Sequence, residues 1–379
     1  KLFSSPFPSA SGRRDAALRL LHRRASRELL RRSGGAPCGA VRAPLGRTSG
    51  QTEPCTVSYL RELHALCSMP QEEVDAFFES HEVLGQERIT SRADEGRVVD
   101  WYRVLNHFCA LGDVEKMYIA PVLDASVGNV ENQRLFEEGM ARSLGAGPGK
   151  ALLDLGCGKG RIAHEVATFS GCRVVGLNLD RSQIDSAVEF AGEAGVLGTQ
   201  LDFVHGSFND RLPFDDGSFD GAYEVGAFSY AINKAALFAE IFRVLKPGGR
   251  FSYCDWCRLR YDEDDQHHRE LLSKVKPLTG MVEMPFPREV EAAFEEVGFE
   301  VEFSGEASIG GKPLGSVVRS TERSFWLAEQ LVYASDRVGA APASLRRMWD
   351  RIREGGLALE EAVELELFSM TWQVVVRRP

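Results

Sequence analysis

Beyond residue 150, short apolar runs alternate with longer amphipathic stretches, each change of pattern marked by glycine, proline or a polar turn. Ala151–Leu155 is the first such run, and Arg161–Phe169 is the amphipathic stretch after it. Further runs lie at Arg173–Leu177, Leu201–His205, Phe219–Val225 and Arg250–Asp255, with helical periodicity over Arg181–Ala194 and Ala235–Leu245. Strands buried on both faces read as continuous apolar runs, and their alternation with helices predicts a mostly parallel sheet covered on both sides. Lys246-Pro247-Gly248-Gly249 predicts a sharp turn into the fifth strand. A helix over Glu289–Val297, a strand over Phe299–Phe303, a helical stretch Ser320–Gly355 and a last strand around Thr371–Val376 complete the pattern.

Upstream the pattern is helical. Val57–Met69, Gln71–Ser80, Val98–Asn106 and Asn129–Leu144 each carry an apolar face, which predicts a helical cap over residues 51–149. Residues 1–50 differ again: ten arginines and one lysine stand against Asp15 and Glu28 alone. With leucines spaced among the arginines of Asp15–Arg32, this is the composition of an organelle transit peptide, and equally of a basic tail outside the fold. The protein is therefore expected in the cytoplasm or peripheral to an intracellular membrane, or in a plastid or mitochondrion if this segment is a transit peptide.

The whole chain of 379 residues carries a formal charge of -10, so everything after residue 50 is acidic. That argues against a nucleic-acid-binding surface on the main body. No stretch approaches the ~20 consecutive apolar residues that span a bilayer. The eight cysteines show no regular framework, which fits a reducing compartment. Cys254 and Cys257 form one C-x-x-C, read as two cysteines on a buried strand rather than a zinc or redox pair.

The candidate chemistry starts where the first strand ends, at Asp154-Leu155-Gly156-Cys157-Gly158-Lys159-Gly160. A strand that turns sharply into a helix, with a ligand against its backbone, needs residues without Cβ atoms. The helix beyond presents free N–H groups. A dinucleotide fingerprint would need G-x-G-x-x-G, but the last position is Arg161 and the third glycine comes one residue early. The pattern D-x-G-x-G-x-G instead resembles the first motif of class I S-adenosylmethionine-dependent methyltransferases. That resemblance implies a Rossmann-like α/β domain with a seven-stranded, mostly parallel sheet over residues 150–305. It also implies that Asp154, Gly156, Cys157, Gly158 and Gly160 hold S-adenosylmethionine. Asn178 then stands where a carboxylate usually meets the ribose, with Asp180 as a substitute. Ser207 stands where an acid usually meets the adenine amino group, and Phe208 is placed to pack on the ring.

Several segments narrow the resemblance to the sterol C-methyltransferase family. They are Val174–Asn178, Glu240–Gly249, Asp255-Trp256, Tyr261-Asp262, His267-His268-Arg269, and the C-terminal residues 306–379 from Phe325 through Val338–Pro342 to Val376–Pro379. This implies methyl transfer to an alkene carbon of a sterol or related isoprenoid lipid, through a carbocation held by aromatic faces and a carboxylate. Glu224, Tyr223, Tyr230, Asp255 and Trp256 are the candidates for that work, although alternate strand residues face opposite ways.

Two features depart from the family. Gly226 takes the place of its acid and Tyr230 that of its histidine, and Phe108–Ala120 is poorer in aromatics than its substrate segment. The rivals are a methyltransferase for a prenylated quinol or tocopherol precursor, and a catalytically silent lipid- or cofactor-binding paralogue, which Gly226 permits. Asp262–Arg269 reads as a solvated helix start rather than a metal site, so no metal is expected. The expected partner is a small lipophilic substrate, with peripheral membrane contact and no nucleic acid.

Overall fold

The computed structural model describes residues 64–111, 114–310, 313, 326–327, 329–337, 339 and 343–379. The basic segment 1–50, and most of the expected helix Val57–Met69, lie outside them. Among the described residues, α1 (Gln71–Leu84), α2 (Arg92–Leu111) and α3 (Asn129–Ser143) precede the sheet. Strands and helices then alternate: β1 (Ala151–Leu155), α4 (Arg161–Ser170), β2 (Arg173–Asn178), α5 (Arg181–Glu193), β3 (Leu201–His205) and β4 (Phe219–Val225). After these come α6 (Lys234–Val244), β5 (Leu245–Arg258), α7 (Gln266–Thr279), α8 (Pro287–Val297), β6 (Glu300–Glu306), α9 (Ala343–Glu364) and β7 (Phe368–Arg377).

The seven strands form one sheet in the order β3-β2-β1-β4-β5-β7-β6. The first five pair in parallel, and β7 enters antiparallel between β5 and β6. Strand order reverses between β1 and β4, and the crevice at such a switch point is where open α/β sheets bind ligands. Leu152, Leu153 and Leu155 of β1 are fully buried. On one face of the sheet, Phe238 of α6 stacks on Phe294 of α8 with ring centroids 4.0 Å apart.

Two expectations are corrected here. The fifth strand is longer than Arg250–Asp255, because β7 pairs along it from Arg250↔Arg377 to Arg258↔Phe368. The helical stretch 320–355 is interrupted: Gly339 takes a left-handed φ of 67°, which ends a helix, and α9 starts afresh after Pro342. Residues 314–325 lie outside the described part.

The cap is built from segments before and after the parallel strands. Val98, Trp101, Val104 and Phe108 of α2 share a buried cluster with Leu345, Met348 and Trp349 of α9. Trp101 donates its indole N–H to the carbonyl of Pro277 in α7, at 3.0 Å. Gly280, just past α7, has φ +73°, and a Cβ there would lie 2.5 Å from the Trp101 ring. The closeness of helix and indole therefore requires glycine at this position.

Arg378 closes the other side of the sheet. Its guanidinium donates to the carbonyls of Phe242, Arg243 and Leu245 at the end of α6 and lies over the Phe242 ring. Charged hydrogen bonds to otherwise orphaned helix carbonyls are the stronger kind. Arg378→Ala should therefore cost about 2 kcal/mol, read as a lower midpoint in urea unfolding with an unchanged slope.

Candidate functional site

The loops after β1, β2 and β3 are stitched together along one rim. The N–H groups of Gly156 and Cys157 both donate to the Leu177 carbonyl, and the N–H of Gly206 donates to the Asn178 carbonyl. Gly156 has φ +87°, and a Cβ there would stand 2.5 Å from the Cβ of Ala227, in the turn after β4. Gly160 begins α4 in the left-handed region, where a Cβ would meet the Phe203 ring at 2.7 Å. Gly158 differs from both. Its φ is +53°, yet the nearest atom to an added Cβ is the Gln183 side-chain oxygen at 3.7 Å. Protein packing does not require glycine there, so the bare backbone faces open space.

That space is a cleft, partly open to solvent. Gly156, Cys157, Gly158, Asn178 and Phe208 line it on the rim side, with Tyr230 and Tyr102 opposite. The open glycine backbone, the amide at the end of β2 and the aromatic face after β3 fit the successive parts of S-adenosylmethionine. Asn178 donates from its Nδ2 to the Gln183 Oε1 at 2.9 Å, which leaves its own Oδ1 free to accept from a ribose hydroxyl.

Not every expected residue reaches the cleft. Asp154 lies beneath the loop, buried, facing the buried hydroxyl of Tyr223, its pairing partner on the neighbouring strand, so the two polar groups meet each other inside the sheet rather than in the cleft. Asp180 lines the cleft, but its carboxylate caps α5 by accepting from the N–H groups of Ser182 and Gln183. Ser207 is buried and its hydroxyl is engaged by the cap.

Glu224 and Asp255 also point elsewhere. Glu224 accepts the N–H of Ala227 and of Cys254, both at 2.9 Å. Asp255 accepts the N–H of Phe228 at 3.0 Å and of Trp256 at 2.7 Å. Both carboxylates are fixed on backbone groups beneath the turn rather than presented to the cavity. Burial pushes Glu224 well above the usual carboxylate range, with Asp255 adding to it, and lifts Asp255 to about 6. Trp256 packs away from the cleft against Phe368, in the core between α7 and α9. Of this set, Tyr230 alone lines the cleft.

Sequence reasoning missed the cap's contribution. Tyr102 of α2 reaches the Tyr230 hydroxyl at 3.1 Å, and the two rings meet edge to face. Glu95 of α2 lines the cleft while 5% exposed. Its Oε1 accepts from the Ser207 hydroxyl and, at 3.0 Å, from the Asn209 amide. Arg92, one turn earlier, donates to Glu95, Ser207 and Asp210. The only advance signal was acidic residues in the first turn of an amphipathic helix, a common feature of helix starts. The acids and histidines of 262–269 have local duties: Asp265 caps α7, His268 accepts the Asp262 N–H, and His267 meets Glu361 of α9.

Two measurements follow from this geometry. Gly158→Val puts a β-branched side chain at positive φ on the open face of the loop, so calorimetry should show donor binding weakened at least about 100-fold. Burial holds Asp154 at about 7. The folded state thus keeps this proton to higher pH than the unfolded chain, whose pKa is ~4. The stability this adds is complete below pH ~4 and is lost as pH rises through about 7. Wild type should therefore lose more melting temperature between pH 5.5 and 8 than Asp154→Asn does; equal losses would rule out the raised pKa.

The family profile described as a methyltransferase domain matches residues 153–253. The sterol 24-C-methyltransferase of Yarrowia lipolytica is 27% identical, over 81% of this chain and 87% of that protein. Cycloartenol-C-24-methyltransferase 1 of Oryza sativa subsp. japonica is 30% identical, over 66% of this chain and 75% of that protein. The crystal structure of the [4+2]-cyclase SpnF has the same fold, with a TM-score of 0.59 at 18% identity over 78% of this chain and 98% of that one. With the glycine rim, the sheet order and these relatives together, the chain belongs to the sterol 24-C-methyltransferase family of S-adenosylmethionine-dependent methyltransferases.

Proposed function

We propose that this protein transfers a methyl group to an alkene carbon of a sterol or related isoprenoid lipid. The observation that carries the reading is the make-up of one cleft. Its glycine rim, fit for the donor, runs directly into an aromatic and aliphatic end formed by Tyr102, Tyr230, Val98 and Val99. No histidine lines it among the described residues. Methylation of oxygen or nitrogen usually wants a general base beside the acceptor before transfer, whereas an alkene is already the nucleophile. Once S-adenosylhomocysteine has left, the methylated cation needs only a weak acceptor to take its proton. The relatives' names point the same way, since they are methyltransferases of sterols and cycloartenol.

S-adenosylmethionine supplies an electrophilic methyl group when bound. The chain's own residues then have three tasks. Gly156 and Gly158 let the donor lie against backbone. Tyr102 and Tyr230 offer ring faces to the positive charge that develops on the acceptor. The cap of α1, α2 and α9 keeps water from trapping that charge. Glu224 and Asp255 act as positioning residues, because they hold the turn from which Tyr230 projects. Burial of Tyr102 pushes its phenol up to about 12, so the pair stays neutral at physiological pH and hydrogen-bonded to each other.

Incubation with methyl-labelled donor and a panel of sterols, tocopherol precursors and prenylated quinols tests the reading. Label should appear on a side-chain carbon of a sterol or isoprenoid. Tyr230→Leu should retain donor binding but lower that transfer about 30-fold, the loss of roughly 2 kcal/mol of desolvated cation–π stabilisation. Transfer only to quinol or phenol acceptors would overturn the proposal, and donor binding without transfer to any acceptor would favour the silent paralogue.

A further inference from the structure

Glu95 is a buried carboxylate that its own helix does not explain. It sits in the first turn of α2, yet its side chain leaves the helix for the loop after β3 and lines the cleft beside Phe208. Its partners can be counted. Oε1 accepts from the Ser207 hydroxyl and from the Asn209 amide, so both of its lone pairs are used. Oε2 accepts from Arg92 and keeps one acceptor position unfilled by any described group. A buried carboxylate with an open acceptor, beside a flat aromatic side chain and one loop from Asn178, is suited to an aromatic base that carries an amino group. It is unsuited to a base with a carbonyl there, because two acceptors would face each other in a desolvated place.

We propose that Glu95 reads the exocyclic amino group of the donor's adenine, and that the cap rather than the sheet domain supplies this specificity. The inference rests on the donor site described above. Ser207 has a hydroxyl and no carboxylate to offer the base. By donating to Glu95 it holds a carboxylate from another part of the chain close by. Arg92 anchors the arrangement, since it grips Glu95, Ser207 and Asp210 together. Asn209 ties it to the acceptor side, donating from one amide to Glu95 and to the Tyr230 carbonyl, both at 3.0 Å. Recognition of the base and closure of the cap are then one event.

The test is calorimetry on the full chain with two ligands, S-adenosylhomocysteine and its 6-oxo counterpart, S-inosylhomocysteine. Wild type should prefer the amino form by about 30-fold, the scale of one charged hydrogen bond. Glu95→Gln, whose amide can donate to a 6-oxo group, should bring the two within about 3-fold. Ser207→Asp placed in the Glu95→Gln background should restore the preference, because the carboxylate then comes from the loop itself. Arg92→Ala, which loosens the cap without moving the acceptor to another residue, should weaken both ligands alike. An unchanged preference in Glu95→Gln, or equal weakening of both ligands by it, would overturn the role of Glu95. Failure of wild type to bind either ligand would instead sink the donor reading on which this one stands.

Discussion

Two carboxylates buried under the turn after β4 hold the cleft in shape. Glu224 and Asp255 accept four backbone N–H groups, those of Ala227, Cys254, Phe228 and Trp256. The turn is thereby tied at Ala227 and Phe228 to the ends of β4 and β5. Ala227 is consequently pressed against Gly156, and Tyr230 is delivered to Tyr102. Loss of either carboxylate would orphan buried N–H groups, which costs more than the hydrogen bonds themselves contribute. An acid in this place is best understood as part of the frame, even though its chemistry invites a catalytic role.

The helices around the sheet do the complementary work of closure. Helices α1, α2 and α9 meet in one apolar cluster, with Phe108 and Trp349 ring centroids 6.2 Å apart. A carbocation survives only where water is excluded. Building the lid from segments before and after the parallel strands lets the central domain keep the topology shared by proteins of quite different sequence, such as SpnF.

The donor rim is legible in the sequence because each of its parts is local. Strand, glycine turn and helix follow one another over 151–170, and period and punctuation are enough to read them. The contacts that finish the site are not local. Glu95 meets a serine 112 positions away, and Tyr102 a tyrosine 128 positions away. The misplaced acids have a related cause. Glu224 within β4 and Asp255 within β5 are drawn to the backbone N–H groups of Ala227 and Phe228, in a turn folded back onto them, a contact that strand alternation does not reveal. Trp256 is misplaced because the pairing of β5 with β7 slips between Asp255 and Cys257. Alternation predicts orientation only while the ladder is regular.

The position of β7 has a consequence for how the molecule is made. It follows the other six strands in the sequence, yet it lies inside the sheet, with β5 on one side and β6 on the other. Domains fold as units, beginning with the N-terminal parts as the chain is synthesised. Until residues 368–377 have left the ribosome, β6 has no partner and the far edge of β5 is open. Completion of the sheet therefore waits for the synthesis of residues 368–377, well after that of the parallel strands. A chain interrupted before these residues would present a bare strand edge, a species suited to aggregation or to capture by a chaperone.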